Sequence, residues 1–131
     1  MNTDVRGKET TESLNALTRR IVGAAMEVSN ELGCGFLEKV YEKALTRELR
    51  YAGLTVADQV SLPVHYKGEV IATYVADLVV EGRVVIEPKC VDAIRREHLA
   101  QCLNYLKATG MRVSLLFNFQ RPRLEWKRIV R

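Results

Sequence analysis

Two carboxylates and a lysine lie close together in this chain: Asp77, then Glu87-Pro88-Lys89. In an extended segment, residues two apart share a face, so Glu87 and Lys89 project together. Carboxylates gathered on a mostly apolar sheet repel each other and resist desolvation. A hard divalent cation relieves both problems, and oxygen ligands select Mg2+ or Mn2+. Such a cation polarises a phosphodiester oxygen and lowers the pKa of a water nucleophile. Lys89 beside it would orient that water or stabilise the charge that develops on the phosphoryl group. The alternative for the same residues is an ordinary interstrand salt bridge from Lys89 to Asp77 or Glu87.

The elements around these residues must bring them to one place. Leu14, Leu17, Ile21, Ala25, Val28 and Leu32 step by three or four and predict an amphipathic helix over Thr11–Leu32, stopped by Gly33. A second helix is expected from about Phe36 to Ala52, ending at Gly53. The period then becomes extended. Val56–Tyr66 reads as an edge strand, because Pro63 cannot donate to a ladder. Lys67-Gly68 signals a hairpin turn into Val70–Val80. Val84–Cys90 follows, apolar on both faces at Val84, Val85 and Ile86, as a central strand is. A helix over about Ile94–Ala108, closed by Gly110, precedes strands at Met111–Phe119 and Leu124–Val130. This order predicts an α/β fold, a mixed five-stranded sheet flanked by helices.

The hairpin between Asp77 and Glu87 decides whether they meet. A two-residue loop at Glu81-Gly82 would pair Val80 with Arg83 and send Asp77 to the opposite face. A three-residue loop of Val80 to Gly82 would pair Val79 with Arg83, set Asp77 opposite Val85, and make Glu87 its diagonal neighbour.

Composition excludes several classes. The chain has 131 residues, 47% hydrophobic and 27% charged, a globular balance within the range of one domain. We expect a flexible tail over residues 1–10 and a single domain over residues 11–131. No apolar run approaches the roughly 18 residues of a membrane span, and the polar first residues do not resemble a secretory signal. Cys34, Cys90 and Cys102 are an odd, widely spaced set without a CxxC pair, consistent with reduced thiols in the cytoplasm. Net charge is +4. Arg121, Arg123, Lys127, Arg128 and Arg131 crowd the last residues around Trp126, a mixture suited to a phosphate backbone or to a solvated strand face.

The segment GFLEKVY, Gly35 to Tyr41, matches the GxxExxY signature of a family of small bacterial and archaeal proteins. The likeness continues through YEKAL, HYKG, the ADLVVEG block around Asp77, the ExK at Glu87–Lys89, QCLNYLKATG, LLFNF and LEWKRIV. The chain therefore resembles the GxxExxY family, placed in the PD-(D/E)xK nuclease superfamily. The resemblance implies a metal held by Asp77 and Glu87, with the Pro88 carbonyl as a further ligand and Lys89 as the catalytic lysine. It also implies that Glu38 supplies the acid of the preceding helix. Gln101 and Tyr105 match a QxxxY motif whose i, i+4 spacing places both on one helical face. Two positions depart from the family pattern: Ala76 replaces the signature proline, and Pro88 stands between the acid and the lysine. A bulge or strand end is expected at Pro88.

The function these residues imply is metal-dependent hydrolysis of DNA or RNA, with a homodimer suited to cutting both strands of a duplex. The rival is a non-catalytic nucleic-acid- or protein-binding module that keeps the fold. His65 is expected in solvent beside a turn. His98 is expected as a satisfied histidine or a phosphate contact, and Tyr41 as a core aromatic with one partner for its hydroxyl.

Overall fold

The computed structural model describes residues 10–131, so nearly all of the tail expected over residues 1–10 lies outside the described residues. Helix α1 spans Thr11–Leu32 and α2 spans Glu38–Tyr51. Strands β1 (Val56–Tyr66), β2 (Glu69–Val80) and β3 (Val84–Lys89) precede α3 (Arg96–Thr109), and β4 (Val113–Asn118) and β5 (Glu125–Val130) end the chain. The side-chain oxygen of Thr10 accepts from the Ser13 N–H at 3.0 Å and starts α1. Gly33 ends it with φ 70°, and Gly110 ends α3 in the left-handed conformation. α3 begins at Arg96, two residues later than its apolar pattern suggests, because the His98 ring accepts the Arg95 N–H at 2.8 Å and closes the first turn there.

The sheet order is β1-β2-β3-β4-β5. β1–β2, β2–β3 and β4–β5 are antiparallel, and α3 carries the crossover to the parallel β3–β4 pair. Pro63 lies on edge strand β1, and β3 is central, as the sequence implied. One apolar layer joins α1 and α2 to Leu78, Val80, Val84, Ile86, Leu115 and Phe117. The other joins Cys102 and Leu106 of α3 to Ala76, Val79, Val85, Leu116 and Ile129. Each fully buried aliphatic side chain contributes about 1.5–3 kcal/mol, so the sheet is held from both sides.

The hairpin differs from both expected loops. Val80 pairs with Val84, Val79 with Val85 and Leu78 with Ile86, leaving Glu81, Gly82 and Arg83 as the loop. Glu81 and Gly82 are both left-handed, and the Arg83 N–H donates to the Val80 carbonyl at 3.0 Å. A turn suited to a two-residue loop therefore closes, but Arg83 is an extra residue that shifts the ladder. Asp77 consequently falls level with Glu87, one position past the last rung, rather than opposite Val85.

At that point the strand also rotates. Ala76 packs in the α3 layer and Leu78 in the α1–α2 layer, although residues two apart normally share a face. Strand β1 does the same: Val56 is in one layer and Val60 in the other, with Gln59 between them at φ 50°. The β2–β3 ladder ends at Leu78 and Ile86, while β3 stays paired with β4 as far as Lys89 and Asn118. Pro88 thus stands where β3 has no rung to lose on its β2 side, and β3 ends at Lys89.

Candidate active site at the fork of the central strands

Beyond Ile86 the two central strands separate, and the chemistry-bearing residues gather at this fork. Glu87, Lys89, His98, Gln101 and Tyr105 line one pocket of about 120 Å³ with Tyr74, Cys102 and Leu116. The helical spacing of Gln101 and Tyr105 therefore brings both to the acid–lysine pair. The Tyr105 ring stacks on Tyr74 at 3.8 Å between centroids, 9° from parallel, which fixes one wall. The His98 Nδ1 is occupied by the Arg95 N–H, so this histidine is satisfied and also faces the pocket.

Glu87 is only 8% exposed, and its Oε2 has no hydrogen-bond partner among the described residues. A buried, unpartnered carboxylate oxygen costs free energy. Burial pushes the Glu87 carboxyl up to about 7, Glu38 and Glu42 add to the rise, and Lys89 opposes it. Lys89 makes no ion pair among the described residues, so the ordinary salt bridge is not formed.

Asp77 is half-buried and lies outside the lining of that pocket. Its Oδ1 is 3.5 Å from the Gln59 amide, which also donates to Glu42 Oε2 at 3.0 Å. Burial raises the Asp77 carboxyl above its usual range, followed by Glu42; the Gln59 bond and Lys89 lower it, and Glu38 raises it. Glu38 is exposed in the first turn of α2, where its Oε1 accepts the Cys90 N–H at 3.1 Å. Asp77 and Glu87 therefore sit in the field of the same Glu38, Glu42 and Lys89, one acid toward α2 and the other toward α3.

Among the described residues, no three histidine, cysteine, aspartate or glutamate side chains stand close enough together to hold a metal. The donor chemistry nevertheless fits a hard cation: all-oxygen ligands, two carboxyls each raised by burial and by the neighbouring Glu38 and Glu42, and one orphaned buried oxygen at Glu87. The structure brings the acids into two adjoining groups rather than one cage.

Three residues at the site escaped the sequence reading. Glu42 is buried at 6% exposure, and its i+4 relation to Glu38 is the signal that marks it. Gln59 has no such signal, since a left-handed glutamine inside a strand is uncommon. Asn118 is fully buried; it donates to the Val91 carbonyl at 2.9 Å and accepts the Val91 N–H at 3.1 Å, holding the chain just after Lys89. Tyr41 is the expected core aromatic: fully buried, stacked on Phe119 at 4.7 Å, its hydroxyl donating to the Gly33 carbonyl at 2.6 Å. His65 is exposed, as expected.

No curated protein and no solved structure matches the chain. A family-wide sequence profile, that of the PD-(D/E)XK nuclease superfamily, matches residues 15–129, from α1 through β5. The match spans every element that positions the fork, and the mixed sheet with helices on both faces is the fold it requires. By that match, and with an acid and an ExK on adjacent strands meeting a helix, this chain belongs to the PD-(D/E)XK nuclease superfamily.

Proposed function

We propose that the protein is a divalent-metal-dependent nuclease that hydrolyses phosphodiester bonds of DNA or RNA. The observation that carries this reading is Glu87: a buried carboxylate with an unpartnered oxygen, sharing a pocket with an unpaired Lys89. PD-(D/E)XK nucleases generally use divalent metals such as Mg2+. In this reading Asp77, Glu87 and Glu38, with the Pro88 carbonyl, hold Mg2+ or Mn2+, whose chemistry is to polarise the phosphodiester and acidify a water. Lys89 orients the attacking water and stabilises the phosphoryl charge. Gln101 and Tyr105 position substrate or the lysine. Residues 11–131 form one nuclease-like domain of the GxxExxY type, working in the cytoplasm, with a second copy where both strands of a duplex are cut.

A second reading has its own support. Asp77 is turned toward Gln59 and Glu42 rather than into the pocket of Glu87 and Lys89, the arrangement expected of a binding module that has kept the fold without the chemistry. Titration with Mg2+ or Mn2+ separates the two. A ligand at 100 times its Kd stabilises a fold by about 2.7 kcal/mol. The nuclease reading requires such a rise in unfolding temperature, lost in the Asp77→Ala, Glu87→Ala double variant. An unchanged melting curve in saturating cation favours the binding module.

A further inference from the structure

Beside the fork, a groove of about 460 Å³ runs between α2 and β1. Lys39, Lys43, Arg47 and Arg50 of α2 form its helical wall, and Asp58 and Gln59 line it from β1. Lys39, Lys43 and Arg47 recur every fourth residue, which sets them in a row about 6 Å apart along the helix. That interval is close to the separation of successive phosphates along a nucleic-acid strand. The groove reaches Glu42 and Gln59, the two side chains that connect α2 to Asp77.

The arrangement of its free cations distinguishes this surface from the other basic cluster of the chain. Lys39 pairs with Glu42 at 3.2 Å, and the Arg50 guanidinium donates to the Val56 carbonyl at 2.8 Å. Lys43 and Arg47 are exposed and have no hydrogen-bond or ion-pair partner among the described residues. In the C-terminal cluster, Arg121 donates to the Asp92 carbonyl at 3.0 Å and Arg128 to Asn15 at 2.6 Å. Arg131 donates to the Met111 and Gly110 carbonyls at 2.6 and 2.7 Å. Trp126 packs against Phe117 at 6.4 Å between centroids as part of the core's rim. Those three arginines and that aromatic are committed to the fold; Arg123 and Lys127 are exposed without a partner among the described residues, but they line two separate hollows and form no row along one groove.

We propose that the α2 groove is the track along which one nucleic-acid strand lies on its way to the fork, with Lys43 and Arg47 holding successive phosphates and Lys39 nearest the acids. The proposal rests on the nuclease reading for the identity of the polyanion. Unpaired cations in a row along a groove gain counterion-release energy from a phosphate backbone, whereas arginines already bonded to carbonyls would first have to give up those bonds.

The test measures binding alone, in EDTA, so that no cleavage occurs. Fluorescence anisotropy with labelled single-stranded and duplex oligonucleotides, DNA and RNA, compares wild type with Lys43→Glu/Arg47→Glu. A matched control, Arg123→Glu/Lys127→Glu, carries the same change in net charge, and Lys43→Gln/Arg47→Gln serves as the milder pair if charge reversal disturbs folding. Expected is a loss of tenfold or more in affinity for the α2 pair, with the slope of log K against log salt reduced by about 2, and less than a twofold loss for the control. Equal losses in the two pairs, or a larger loss in the control, overturn the track. Failure of the wild-type protein to bind any of the oligonucleotides overturns the nucleic-acid reading itself and the track with it.

Discussion

The side-chain amide of Gln59 donates to Glu42 at 3.0 Å from a backbone position held at φ 50°. Lys67 and Glu81, the other non-glycine residues with positive φ among the described residues, lie in hairpin turns; Gln59 lies within a strand. A left-handed residue there costs about 1–2 kcal/mol and persists only where its surroundings impose it. Here the return is a neutral donor placed between two carboxylates. Gln59→Glu replaces that donor with a third acid. It is expected to lower stability by about 1–2 kcal/mol at pH 8 and to recover part of the loss at pH 5, because the raised Asp77 carboxyl takes up its proton more readily as pH falls. Urea unfolding at the two pH values checks this, and equal destabilisation at both would show that Glu42 and Asp77 do not feel the new charge.

Glu87 predicts a pH dependence in the same direction. Its carboxyl is raised from 4.5 to about 7, mainly by burial, so the folded state binds its proton more tightly than the unfolded state. The associated stability is fully present below about pH 4.5 and is lost as pH rises through 7. With about 1.4 kcal/mol per pKa unit, the full loss is about 3–4 kcal/mol. Asp77, also raised, adds to it. Denaturant titrations from pH 4.5 to 8 without divalent cation are expected to show the decline, and Glu87→Gln to remove most of it. A stability that instead rises over this interval would mean that Glu87 is already compensated.

Glu38 holds the Cys90 N–H at 3.1 Å, linking the first turn of α2 to the residue after Lys89. Glu38→Ala is expected to cost about 1 kcal/mol, whereas Glu38→Gln keeps an acceptor and costs less. If Glu38 also serves the cation, both variants weaken the response to Mn2+ in a thermal melt. A Glu38→Gln protein with the full response would leave Glu38 a purely structural acceptor.

Tyr41→Phe tests the support beneath α2. The hydroxyl accepts the Phe36 N–H at 3.3 Å and donates to the Gly33 carbonyl at 2.6 Å, so its removal leaves both groups short of a partner. A loss of about 1–2 kcal/mol is expected, measured by chemical denaturation. The stacking on Phe119 is retained.

Periodicity and glycine placement made the element order legible, because apolar faces and helix stops are local properties. Glu87 with Lys89, and Gln101 with Tyr105, could each be paired for the same reason, since i, i+2 on a strand and i, i+4 on a helix leave little freedom; that the two pairs share a site was implied by the family resemblance. Asp77 was harder. Its position depends on Arg83 as an extra hairpin residue and on a strand rotation shared with Gln59, which sets Ala76 and Leu78 in opposite layers. Neither leaves a mark in residue types. The basic C-terminus left two readings open, a phosphate contact and a solvated strand face. Its composition suits phosphate, yet Arg121, Arg128 and Arg131 are bonded to the fold, and only coordinates reveal which cations remain unpaired.

The most direct measurement is cleavage of labelled DNA and RNA by purified protein in Mn2+, run beside Lys89→Ala and the Asp77→Ala, Glu87→Ala double variant. Cation-dependent cleavage by wild type, with both variants down by a hundredfold or more, is the predicted result. Cleavage that is equal in all three proteins, or absent from wild type in saturating Mn2+, would contradict the assignment of hydrolysis to this fork.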